Sequence, residues 1–156
     1  MAPLNLEQSL EISKLCQVII SLNPGIHVVS VVNKNGRILN IKLRNDSTTR
    51  NLTSQEIEML CMQRVLQTSM NKELDAKLGA LNYTISYRNF MLELIFPLLN
   101  GIIFVGADSE IYIQKLVKTI SEAINDYKFN SDPKITSAET IENHVHRSYS
   151  TSYQNL

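Results

Sequence analysis

Two Asn-Gly pairs constrain this chain more than any other feature. Asn35-Gly36 and Asn100-Gly101 each sit between short apolar runs. Asn-Gly tolerates the positive φ angles of a tight two-residue turn, so each pair predicts a hairpin and therefore antiparallel pairing. The first hairpin joins Ile26–Val32 to the alternating run Ile38, Leu39, Ile41, Leu43. The second joins a run ending at Phe96, which Pro97 is expected to close, to Ile102-Ile103-Phe104-Val105. The last run is apolar on both faces and reads as a central strand. Leu81–Arg88 alternates too, with Tyr83, Ile85 and Tyr87 on one side, and Arg88-Asn89 fits a turn into Phe90–Phe96.

Helical periodicity fills the remaining segments. Asn5 and Gln8 form a capping pair before Leu6, Leu10, Leu15, Val18, Ile19 and Leu22, the expected buried stripe, and Asn23-Pro24-Gly25 stops that helix. Thr53-x-x-Glu56 is a capping box and opens a second helix. That helix carries two apolar stripes: Ile57, Leu60, Cys61 and Val65, then Met59, Met62, Leu66 and Met70. One stripe can face the sheet; the other requires a second cover, either within the molecule or from another chain. The pattern can run on to Leu78 with Gly79 as its stop and Asn71-Lys72 as a break. Asp108 or Ser109 is the expected cap of a last helix lined by Ile113, Leu116, Val117, Ile120, Ile124 and Tyr127. These readings place one domain over residues 1–128 and a polar, flexible tail over 129–156, with a marginal helical turn near Ala138–Val145.

The 156 residues hold 15 Lys plus Arg and 15 Asp plus Glu, so no global charge draws the chain to nucleic acid or an anionic surface. Lys34, Arg37, Lys42, Arg44 and Arg50 make the first hairpin locally basic, but no aromatic residue is interleaved for base stacking, and no nucleic-acid partner is expected. The five glycines are never spaced as a phosphate loop, and no cofactor is expected. His144 and His146 form an H-x-H pair that would need Glu139 or Glu142 to complete a metal site; a solvated tail is the simpler reading, and no metal is expected. The carboxylate pairs Glu56/Glu58 and Asp108/Glu110 fall at expected helix starts, where the macrodipole accounts for them. No catalytic pair can be named. Cys16 and Cys61 read as buried, inert thiols, and the absence of a basic, apolar leader in Met1–Glu7 goes with a reducing, cytoplasmic setting. The apolar runs in Phe90–Val105 are too short to span a bilayer.

The order helix, strand, strand, helix, strand, strand, strand, helix, with Asn23-Pro24-Gly25-Ile26, Asn33-Lys34-Asn35-Gly36 and Phe104-Val105-Gly106-Ala107-Asp108 at its joints, resembles the roadblock/LC7 superfamily over residues 6 to 127. The profilin and longin folds share much of this layout. Asp75–Tyr83 is also similar to a group of archaeal proteins of the same organisation, a likeness that implies no function. The roadblock resemblance implies an α+β, three-layer α/β/α fold. Its five-stranded antiparallel sheet has the order 2-1-5-4-3, with the second helix on one face and the other two on the opposite face. It further implies a non-catalytic homodimeric module, a scaffold or regulator of a small GTPase, pairing through the third strand and the second helix. On this sequence those surfaces are Tyr83, Ile85 and Tyr87, and Met59, Met62, Leu66 and Met70. The alternative is a small-molecule sensor with a pocket between sheet and helix.

Overall fold

The computed structural model describes residues 4–44 and 52–131, with side chains to residue 128. Its elements are α1 (Leu6–Ser21), β1 (Ile26–Asn33), β2 (Ile38–Leu43), α2 (Ser54–Lys72), α3 (Asp75–Leu78), β3 (Thr84–Tyr87), β4 (Leu92–Leu98), β5 (Gly101–Ala107) and α4 (Ile113–Ser131). The strands form one antiparallel sheet in the order β2-β1-β5-β4-β3. The fold is the three-layer α/β/α arrangement, with one short extra helix, α3.

Both capping boxes form. The Asn5 side chain accepts from the Gln8 amide while Gln8 reaches back to Asn5, and Thr53 and Glu56 do the same. Both hairpins form as well. Gly36 takes φ 82°, where a side chain would be strained and a Cβ would press on Met62. Gly101 is required by contact: a Cβ there would stand 2.0 Å from the Val32 carbonyl oxygen.

Strand alternation divides the core. Val29, Val31, Leu92, Leu94, Ile103 and Val105 face α1 and α4 and join Ile19 and Ile120 in one apolar cluster. Val28, Val32, Ile95, Ile102 and Phe104 face α2 and join Cys61 and Val65 in a smaller one. α1 thus buries Ile12, Leu15, Cys16, Ile19 and Ile20, while Leu6, Leu10, Val18 and Leu22, expected inside, are exposed. The helix carries more apolar surface than the sheet covers, and only the side bearing Ile12, Leu15, Cys16, Ile19 and Ile20 is buried.

Five boundaries differ from expectation. β4 begins at Leu92 rather than Phe90, because the chain turns through Asn89-Phe90, where the Arg88 N–H donates to the Met91 carbonyl, and Phe90 is left exposed. β3 is shorter than Leu81–Arg88: the Leu81 amide is taken by the Asp75 carboxylate at 3.2 Å, and the register puts Asn82 opposite Pro97, which has no N–H to give. Pro97 does not end β4, which continues to Leu98 paired with β5 alone. α4 begins at Ile113 rather than after Asp108 or Ser109, because Asp108 binds His27 (Nε2–Oδ1 2.5 Å) and the Ser109 hydroxyl donates to the Asn89 carbonyl. α4 also runs on to Ser131, past the boundary at 128. The helical pattern after α2 does break near Asn71-Lys72, and Gly79, at φ 87°, ends α3.

Candidate interaction surfaces

β3 is the edge of the sheet: it pairs with β4, and no described strand lies on its other side. Its register sets Ile85 opposite Leu94 and Tyr87 opposite Leu92, on the α1/α4 face. The Tyr83 ring lies 6.1 Å from that of Phe96 on the same face. Neither α1 nor α4 reaches out to cover this margin, so Tyr83, Ile85 and Tyr87 remain 42%, 37% and 61% exposed. An open edge with apolar and aromatic side chains is a pairing template.

α2 lies on the other face. Cys61, Val65 and Thr68 are its buried residues, with Ile57 and Leu60 packed at their margin. Met59 is nine residues from Thr68, and Met70 nine from Cys61, about two and a half turns in each case, so both methionines point away from the sheet. Leu66 points outward with them, and Met62 leans toward Gly36 at the β1–β2 turn. All four are at least half exposed or nearly so, and the second stripe is therefore uncovered within the described residues. The structure separates the two sets that the sequence grouped: the β3 aromatics and the α2 methionines lie on opposite faces of the sheet.

Between them sits a feature that sequence reasoning missed. Glu93 on β4 points under α2, is fully buried, and accepts from Arg64 (Nη2–Oε2 2.5 Å), with Arg88 Nε 3.5 Å from Oε1. The Arg64 guanidinium also donates to Gln67. One carboxylate within the apolar run Phe90–Phe96 was the available signal, since a charge buried in a sheet requires a partner. Arg44, counted in sequence among the basic hairpin residues, is instead spent on main-chain carbonyls: Nε donates to Ile26 and Nη2 to Ile20, closing the C-terminal end of α1.

Burial pushes the thiols of Cys16 and Cys61 up to about 11, so neither is a nucleophile at neutral pH. The space between α2 and the sheet is about 10 Å3, lined by Val28, Ser30, Ile41, Cys61 and Phe104 among others, room for one water at most. Among the described residues no three His, Cys, Asp or Glu side chains gather as metal ligands, and no helix is long and apolar enough to cross a membrane. The His144/His146 pair, most of the basic loop that holds Arg50, and the tail from 132 onward lie outside the described residues.

No family model and no curated protein sequence matches this chain. Solved structures do. A roadblock/LC7 domain from Streptomyces avermitilis superposes with a TM-score of 0.56 at 10% identity, covering 74% of this chain and 96% of that one. The gliding protein MglB from Thermus thermophilus reaches 0.62 at 10% identity, over 81% and 94%. An MglB with a tetrameric arrangement gives 0.54 at 8% identity, over 81% and 95%.

Proposed function

We propose that this chain, which has the roadblock/LC7 fold, is a non-catalytic, homodimeric interaction module that scaffolds or regulates another protein, a small GTPase being the partner class that the fold resemblance implies. The observation that carries this reading is the unpaired β3 edge with Tyr83, Ile85 and Tyr87 uncovered. Edge strands left open in this way are normally blunted by charge, proline or a covering element. Here the outward side chains are apolar, and a second copy of β3 would satisfy both the main chain and the rings. The tetrameric arrangement of one MglB supports self-association for the fold.

The α2 stripe of Met59, Met62, Leu66 and Met70 forms the other contact surface. Unbranched thioether side chains repack readily against different shapes, which suits a regulatory partner. Because this stripe lies on the opposite face from the β3 rings, the two surfaces can be disabled separately. Light scattering on the purified chain is expected to give twice the 17.7 kDa chain mass, and Tyr83→Glu to give the chain mass. A wild type that stays monomeric at high micromolar concentration overturns the reading.

A further inference from the structure

The outer surface of the α1/α4 layer holds an open groove of about 440 Å3 between the two helices. The helices are antiparallel. Gly25, just after α1, approaches Ile111, just before α4, and at the other end Glu11 stands close enough to the Tyr127 hydroxyl to help raise its pKa, after burial. Leu15, Val18, Leu22 and Ala123 give the groove an apolar floor, and Val18 remains 51% exposed there. Val18 and Leu22 belong to the stripe that the sequence assigned to the core and the sheet left uncovered.

The rim is acidic. Lys14 is the single cation among the lining residues, and it pairs with Glu11 at 3.6 Å. The carboxylates of Glu122 and Asp126, one turn apart on α4, form no ion pair or hydrogen bond among the described residues. The walls are two helices whose main-chain groups are internally bonded, so an extended peptide would find no backbone partners here. An occupant must satisfy its own backbone, which selects a helix. Glu11 to Leu22 spans about 16 Å, or roughly three turns of a packed third helix. A second copy of α2 is a poor fit: its apolar outer stripe is flanked by Glu56 and Glu58, which would meet the acidic rim.

We propose that the α1–α4 groove receives a cationic amphipathic helix from a partner protein, its apolar stripe on Val18 and Leu22 and its lysines or arginines against Glu122 and Asp126. This surface uses neither β3 nor the outer face of α2, so its failure and the failure of the self-association reading are distinguishable.

The test uses the full chain and a fluorescein-labelled helical peptide of about four turns, leucine on one face and lysine on the other. Its counterpart carries glutamate in place of lysine. Anisotropy titrations are expected to show saturable binding of the lysine peptide and binding weaker by about tenfold or more for the glutamate peptide. E122K/D126K is expected to reverse that preference, and Val18→Asp to abolish binding of both. Met62→Glu and Tyr83→Glu are expected to leave binding unchanged. No binding to the wild type, retention in Val18→Asp, or an unaltered preference in E122K/D126K overturns the proposal. So does a fall in oligomeric mass on Val18→Asp, which would make the occupant a second copy, or competition by a peptide of residues 132–156, which would make it this chain's own tail.

Discussion

The two faces of the sheet are built differently. On the α1/α4 side two helices close over an apolar cluster. On the α2 side a single helix covers the sheet, and the three buried polar residues among those described, Ser30, Thr68 and Glu93, all lie there. Burying apolar surface stabilises without directional demand, whereas a buried carboxylate must be met by a correctly placed cation. The first face therefore holds the fold together. The second fixes where α2 sits, through Arg64 and Glu93, and so fixes where its methionine stripe points.

Neighbouring residues on β4 probe this contrast most strongly. Leu94 faces α1 and α4, Ile95 faces α2, and both are fully or almost fully buried. Leu94→Ala is expected to cost about 4–5 kcal/mol in urea unfolding, near the top of the large-to-small range. Ile95→Ala is expected near its lower end, about 2 kcal/mol, because one helix can settle toward the gap more easily than two locked together. Equal losses would break the comparison.

Arg64→Ala comes next, at about 3 kcal/mol, since it strands the Glu93 carboxylate without its closest partner. Replacing both, as Arg64→Met with Glu93→Leu, is expected to restore stability to within about 1 kcal/mol of wild type. That rescue would identify the ion pair as a device of placement rather than of stability. If single and double variants unfold alike, Arg64 is not what Glu93 depends on.

Smaller effects fall on the thiols. Each is raised by burial to about 11 from 9, so in each case the folded state holds its proton where the unfolded state has lost it. Their contribution is complete below about pH 9 and lost as pH rises toward 11. Cys16→Ala/Cys61→Ala is therefore expected to flatten the alkaline limb of a stability–pH curve. In the folded wild type at pH 8, thiolate is about one part in a thousand, and iodoacetamide labelling should require denaturant. Smallest of all, Met62→Glu and Leu66→Glu are expected to shift the unfolding midpoint by no more than about 0.5 kcal/mol, as exposed positions do. A large shift would mean that the stripe is buried after all.

Local chemistry made most of the architecture legible. The capping boxes at Asn5 and Thr53 are signals within four residues and formed as read. The Asn-Gly pairs located both hairpins, but the second turn is centred on Leu99-Asn100, with Gly101 already in β5 opposite Leu98. Misplaced boundaries arose where a distant group intervened: Asp75 taking the Leu81 amide, and His27 taking the Asp108 carboxylate that would otherwise have capped α4. The α1 stripe was misjudged because helical spacing gives a periodicity but not a direction, and two overlapping stripes satisfy it equally well. Of the candidate surfaces, the α2 methionines and the β3 side chains Tyr83, Ile85 and Tyr87 are left exposed. Their separation onto opposite faces depends on strand register and helix rotation, which no short window encodes. The Arg64–Glu93 pair joins residues 29 apart across two layers, beyond any local pattern.

Amide hydrogen exchange across β3, measured over a range of protein concentrations, tests the self-association account most directly. If a second copy pairs with this edge, the Thr84–Tyr87 amides that point away from β4 become protected as concentration rises, and Tyr83→Glu removes the protection. Exchange at those amides that is fast and independent of concentration would contradict it.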